Sequence, residues 1–296
     1  MPNVIIFDAN VRNTARGAAT KESPSTGRLS SSKPNLMQIP KREPELAKPV
    51  RRAFVARPGY VLLSVDIEQE EPRLAAVVSD DQNLKAAFER GEDIYVPIAE
   101  MLKGSPLVSK DELDHYGQSW RDTGKKNFLE ILYGAGAEKV LQSHPDLTLA
   151  RASAMLERFR RLYPGIAAHT QNTRRTLLDK GYVTTLFGRR RRLPGIWVRR
   201  QHEEAVRQGA NHPIQGSGAD VLKGSMVRLW GEGGTLGGLD AHPLFPVHDE
   251  LVVEVAEQDV AAAVEVLRHM TDWFTHIKLP VSIKVGTNWG DMKEVP

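Results

Sequence analysis

The chain has 296 residues, 41% of them hydrophobic, enough for one large or two medium domains with real cores. It has no cysteine, which excludes a disulfide framework and any cysteine-ligated zinc or iron–sulfur site, and its net charge of +3 is mildly basic, compatible with a nucleic-acid partner without requiring one. No apolar run is long enough to span a bilayer and Met1–Phe7 lacks the basic flank of a signal peptide, so a cytoplasmic protein with no membrane partner is expected.

Residues from about Asp8 to Arg51 are rich in Ser, Pro, Lys, Arg and Asn and predict a loop-rich arm. Tyr60–Asp66 is a mostly apolar run ending in an acid, the pattern of a buried strand. A helix is expected from about Pro72, because proline suits a first helical turn, with Leu74, Val77, Val78 and Asp81 following at helical spacing. Ser109-Lys110-Asp111-Glu112 has the form of a capping box and predicts another helix start. Ser119–Tyr133 reads as a helix closed by Gly134 and Gly136. Leu149–Leu162 and Ala167–Leu178 follow as amphipathic helices separated by Pro164-Gly165. Tyr182–Gly188 predicts a short strand running into Arg189–Arg192, then a long helix covers Gln201–Trp230 and Gly231–Gly238 breaks it.

In Leu244–Val255 two apolar runs flank His248-Asp249-Glu250, which predicts a hairpin with a very short turn. Its turn is neither Asn-Gly nor Gly-X, so His248 or Asp249 must take up positive φ at some cost in strain. Pro246 inside the first run argues for an edge strand or a bulge. Glu257–Phe274 is expected to be a helix with Val260, Val264, Leu267 and Phe274 inward, and Pro280–Val285 a closing strand. The strands thus lie near the two ends of the chain around a helical block, an α+β platform split by a helical insertion. The expected divisions are an arm over 1–50, platform over 51–72 and 237–296, and insertion with connecting helix over 73–236.

Asp66 ends the first strand, with Glu68, Glu70 and Glu71 just beyond it, and Asp249 and Glu250 sit on the hairpin. If those strands are neighbours, Asp66 and Asp249 converge at one sheet edge, a donor set for hard divalent cations that can clamp an in-line phosphoryl displacement. The same acids also read as solvated turns. On the helix Ser119–Tyr133, Arg121, Lys125, Leu129 and Tyr133 recur every four residues, with Phe128, Ile131 and Leu132 on the other side. Such a stripe offers phosphate contacts and a base-stacking surface, or is an ordinary amphipathic face with snorkelling bases.

The strand Val65–Arg73, the helix carrying Arg121, Lys125, Tyr133 and Gly134, and Val247-His248-Asp249-Glu250-Leu251 resemble motifs A, B and C of family A DNA polymerases, the bacterial DNA polymerase I type. They occur in the family's order. Thr26–Ser32 with Pro34-Asn35-Leu36, Gly181–Arg190 and Gln215–Asp220 match further family motifs, so the resemblance runs from about Thr26 to Asp291. It implies a right-hand polymerase palm with inserted fingers, and DNA-directed synthesis from dNTPs on primer-template DNA with two Mg²⁺ ions, Mn²⁺ being able to substitute.

Residue by residue, the resemblance implies that Asp66, Asp249 and Glu250 are metal carboxylates, with Glu250 the outlying member. Arg121 and Lys125 would hold the triphosphate, Lys125 also protonating the departing pyrophosphate. Leu129 and Tyr133 would border the nucleotide, as would Gln69, and Glu71 would back its sugar at C2′ and exclude ribose. Arg28, Asn35, Arg207, Asn211, Gln215 and His248 would touch primer-template, and Arg189 and Arg190 its phosphates. Other uses of the same residues are a non-catalytic DNA-binding subunit of a split polymerase, or a single-subunit RNA polymerase or reverse transcriptase with a similar palm. Glu71 and the Gln215 motif favour deoxynucleotides.

The sequence departs from the family where Leu129 stands for a usual Phe or Tyr, Glu130 for a glycine and Ile67 for a tyrosine. Phe128 lies about 100° away around the helix and cannot take the place of the residue after it. Family members carry a thumb, and usually an exonuclease domain, before the Thr-Gly-Arg-Leu motif, and neither is expected here. Asp8 alone makes no nuclease site, so proofreading is not expected. A separate polypeptide supplying those parts, and a bacterial or phage-like source, fit this arrangement.

Overall fold

A computed structural model describes residues 25–31, 35–39, 44–114, 117–275 and 277–296. The elements in chain order are α1 (Pro44–Arg52), β1 (Tyr60–Ile67), α2 (Glu70–Val78), α3 (Gln82–Glu89), α4 (Val96–Lys103), α5 (Trp120–Leu132), α6 (Ala137–Ser143), α7 (Leu149–Leu162) and α8 (Pro164–Lys180). They continue with β2 (Tyr182–Thr184), β3 (Arg190–Arg192), α9 (His202–Trp230), β4 (Ala241–Val247), β5 (Glu250–Ala256), α10 (Val260–Arg268), β6 (Val281–Gly286) and β7 (Lys293–Glu294). The chain divides into two compact units, one formed by residues up to Glu70 with Gly218–Pro296, the other by Glu71–Ser217. The second division falls inside α9, ahead of the expected boundary at 236. Asp8 and the motif positions Ser32 and Pro34 lie outside the described residues.

The first unit is built on a five-stranded antiparallel sheet, ordered β4-β5-β1-β6-β7. β1, the acid-bearing run, is central, between the second hairpin strand and the closing strand. One face packs Leu63, Val65, Leu251, Val253, Val255 and Ile283 against Leu222 and Leu229 of α9 and Ala263, Val264 and Leu267 of α10. The other face packs Leu62, Phe245, Val247 and Val252 against Leu36 and Trp289, with Phe54 beside them. Every residue of β5 is buried, which is why its apolar run is unbroken apart from two glutamates. Each buried Val or Leu there contributes about 1.5–3 kcal/mol. β4 is an edge strand with a register shift between Pro243 and Phe245, so Pro243 and Pro246 sit where a missing ladder donor is tolerated.

The second unit is helical apart from the β2–β3 hairpin. Its core includes Phe128, fully buried on α5 and edge-on to Tyr95, Phe159 and Tyr163 at centroid distances of 5.8, 5.5 and 5.8 Å. Each such pair adds about 0.5–1.5 kcal/mol beyond its buried area. Ser119 caps α5, its hydroxyl accepting the Asp122 N–H at 3.3 Å.

Several local expectations are corrected. The arm is not all loop, since α1 occupies Pro44–Arg52 despite Pro49; Glu45 in its first turn and Arg51 and Arg52 in its last suit the helix dipole. Asp81 does not continue α2. It caps α3, accepting the Leu84 N–H at 2.9 Å, and also binds Gly165 N–H at 2.7 Å. No helix starts at Ser109: Glu112 reaches back to the Val108 N–H at 2.8 Å and to Lys103 at 2.6 Å, closing a turn with no apolar period behind it. Pro164-Gly165 opens α8 rather than separating two helices. After a short turn at Glu257–Asp259, α10 ends at Arg268, and Phe274 lies beyond it.

Candidate active site

Asp66 stands one residue from the end of β1, facing Glu250 of β5 on one side and Ser282 of β6 on the other. The next N–H, that of Ile67, donates to the carbonyl of Asp249 at 3.4 Å. Asp66 and Asp249 therefore sit at the same end of two hydrogen-bonded central strands. The hairpin turn is His248-Asp249, and His248 takes φ 58°. Gln69, three residues after Asp66, has φ 50°, so strained backbone flanks both acid-bearing segments. The His248 N–H donates to the Sδ of Met37 at 3.3 Å, which ties the turn to the arm. Asn35 serves locally there, its Oδ1 accepting the Met37 N–H at 3.1 Å, and Arg28 is exposed.

Glu250 is placed differently from its neighbour. It is 3% exposed, and its Oε1 accepts the Ser64 hydroxyl at 2.6 Å and the Trp289 indole N–H at 2.7 Å. Arg51 lies 3.8 Å from the other oxygen, its guanidinium stacked 4.0 Å over the Trp289 ring. These groups and Asp66 line a cavity of about 320 Å³ that also takes in Lys48 and Lys284. Ser64, Arg51 and Trp289 were not singled out from sequence. Ser64 carried a signal, since it lies two residues before Asp66 on the same strand and so on the same sheet face.

As a test of fit, Asp66 and Asp249 offer hard oxygen donors on rigid strands, and Glu250 is held back by its own hydrogen bonds. Mg²⁺ is commonly held by one or two carboxylates, with water and substrate phosphate completing the shell, so this donor set fits. Among the described residues no group of three or more His, Asp or Glu side chains forms a self-sufficient metal cage.

Behind Asp66, Glu70 is buried with its carboxylate against α9, where a Cβ at Gly218 would lie 2.7–2.9 Å from it. Any side chain at Gly218 would make the Glu70 carboxylate shift.

In the helical unit, Arg121 and Lys125 both lie over the Tyr95 ring, at 5.4 and 5.9 Å from its centroid. Arg121 also pairs closely with Asp93 while staying 31% exposed at its side chain. Burial pushes the Tyr95 hydroxyl up to about 12, so the ring is a neutral platform for both cations. Asp93 and Tyr95 also went unnoticed in the sequence, which shows them only as an acid and an aromatic ahead of α4. Leu129 is half-buried on α5, and Tyr133 is its C-cap. Glu130 is half-buried, with the Ser143 hydroxyl 3.5 Å from both its oxygens, and Glu71 is half-buried in α2.

On α9, Asn211 and Gln215 are half-buried, and Arg207 is exposed and paired with Glu204 at 2.5 Å. The Arg189 guanidinium donates to the Gly216 carbonyl at 2.9 Å, bracing the hairpin on the helix, whereas Arg190 is exposed beside the Tyr182 ring at 4.9 Å. Among the described residues no helix is long and apolar enough to cross a membrane.

The profile described as DNA polymerase family A matches residues 8–291. A thermostable DNA polymerase I of Thermus thermophilus is 39% identical over 275 residues, covering 91% of this chain and 32% of its own. The DNA polymerase I of Deinococcus radiodurans is 36% identical over 276 residues, covering 90% of this chain and 27% of its own. The POL domain of Pol1 from M. smegmatis, solved in complex with DNA primer-template and dNTP, matches with a TM-score of 0.79 at 32% identity, covering 90% of this chain and 46% of that one. The chain spans about a third of the length of the curated relatives it matches.

Proposed function

The chain belongs to DNA polymerase family A, and from that premise we propose that it transfers deoxynucleoside monophosphates from dNTPs to a primer 3′-hydroxyl on a DNA template. The observation that carries this reading is the pair Asp66 and Asp249 at one end of two paired strands, joined by the Ile67 N–H to Asp249 carbonyl bond.

Asp66 and Asp249 would hold two divalent cations, which when bound lower the pKa of the attacking hydroxyl and neutralise charge developing on the phosphoryl group. Glu250 acts as a bracket: locked by Ser64, Trp289 and Arg51, it fixes the start of β5 and with it the turn that carries Asp249. Arg121 and Lys125 bind the triphosphate, and Arg121 exchanges Asp93 for phosphate oxygens when it does so. Lys125 gives its proton to the departing pyrophosphate. Tyr95 keeps both cations aimed without competing for protons. Leu129 and Tyr133 border the base and sugar with Gln69, and Glu71 leaves no partner for a 2′-hydroxyl. Arg28, Asn211, Gln215 and His248 test pair shape in the minor groove, where correct pairs present similar acceptors. Asn35, Arg207, Arg189 and Arg190 support the strands that those residues touch.

The test is primer extension with Mg²⁺ on a DNA template, offering dNTPs or rNTPs, with and without a polypeptide supplying the preceding part of the relatives' chain. Extension with dNTPs and little with rNTPs is expected. Efficient rNTP incorporation, or none from either pool under both conditions, would contradict the reading.

A further inference from the structure

The β2–β3 hairpin and the turn that follows it carry a surface that extends beyond Arg189 and Arg190. Between residues 189 and 200 the sequence holds six arginines and no acid. Arg191 is half-buried and donates to Gln208 at 2.6 Å, so alternation turns Arg190 and Arg192 outward, and both are exposed. Tyr182 is the cross-strand partner of Arg192 and lies under Arg190, which puts these three side chains on one face.

At the end of this hairpin sits Trp197. The hairpin extends by one more bond, Leu193 N–H to the Gly181 carbonyl at 2.9 Å, and the edge of the Trp197 ring lies against Gly181 so closely that a Cβ there would collide with it. Gly181 also has φ 70°. Trp197 is 60% exposed, although its neighbour Ile196 is buried in the cluster of Leu177, Val183 and Leu193 and holds the turn rigid. Arg199 and Arg200 follow it into solvent. The acids that come next, Glu203 and Glu204, are paired with Arg174 at 2.9 Å and Arg207 at 2.5 Å.

An indole left largely exposed against Gly181, in a stretch whose arginines at 190, 192, 199 and 200 are also exposed, is chemically suited to a base stacked on the ring with its phosphates on the guanidinium groups. The three-residue strands cover about 10 Å, the rise of about three stacked nucleotides. We propose that Trp197, with Arg192 and the arginines around it, is a stacking platform for single-stranded DNA. It deepens the polymerase reading and rests on it for its role, as the seat of the unpaired template strand.

The experiment measures binding of a fluorescently labelled single-stranded oligonucleotide by wild type, Trp197→Ala, Trp197→Leu and Trp197→Phe. Blunt-duplex binding and single-nucleotide extension on a short-overhang template are measured in parallel. The Ala and Leu variants are expected to lose about ten-fold in single-strand affinity, and Phe less than about three-fold, with duplex binding and extension unchanged. Wild-type affinity in Trp197→Ala overturns the platform while leaving the polymerase reading intact. Retention in Trp197→Leu also overturns it and marks an apolar protein contact. Single-strand binding that depends on Trp197 in a protein that never extends a primer supports the platform and sinks the polymerase reading.

Discussion

Two adjacent carboxylates, Asp249 and Glu250, differ in place: Glu250 opens β5 and is buried, whereas Asp249 stands in the turn before it and is half-buried. Glu250 points to Ser64 and Trp289 and is spent on them, and truncating it would strand buried donors at about 1–3 kcal/mol. Asp249 has its carbonyl bound by the Ile67 N–H and lies next to His248 with its positive φ. On α5, Leu129 is half-buried, whereas Phe128 is fully buried and packed edge-on to three aromatic rings. Phe128 therefore cannot rotate out to replace a ring missing at 129. Leu129→Phe should shift the ratio of dideoxy- to deoxynucleotide incorporation by up to about ten-fold, the equivalent of one aromatic contact. Competitive single-turnover incorporation measures it, and an unchanged ratio would remove Leu129 from nucleotide selection.

Helices capped by their own sequence were legible, and those decided by distant contacts were not. Ser119 announced α5 and the apolar period of α7 announced itself, while α9 runs as one helix through Pro213. The Ser109 capping box misled because its glutamate found Lys103 and Val108 instead of a helical turn. α1 was hidden by its proline and charges, and Asp81 looked like a helix-face residue until Gly165 and Ile166 supplied its donors. Strand ends alone left Asp66 and Asp249 readable as solvated turns, since their convergence depended on β1 pairing with β5, and the Glu250 bracket needed Trp289, which is 39 residues away in sequence.

The same scale holds a pH dependence. On α5 the buried Asn127 donates to Nε2 of His144 at 2.7 Å, which requires a neutral ring, and burial holds His144 below the ordinary histidine value. His169 is lowered likewise, with the Ala210 carbonyl opposing. A lowered folded value means the unfolded chain binds protons first, so stability is full above about pH 6.5 and declines as pH falls from there toward the folded value. Chemical unfolding at pH 7 and pH 5 should show this loss, and His144→Gln should make it shallower. An identical slope in the variant would assign the acid sensitivity elsewhere.

For the whole molecule, the sheet unit carries Asp66 and Asp249, the helical unit carries Arg121 and Lys125, and the family match runs through both. The central claim is that Asp66 and Asp249 together perform nucleotide transfer while the rest of the chain binds and orients. The most direct measurement compares primer extension by wild type, Asp66→Asn and Asp249→Asn, with duplex affinity recorded on the same preparations. Each variant should lose roughly a thousand-fold or more in incorporation while keeping its affinity for duplex within a few-fold. Near-normal extension by either variant would contradict the account.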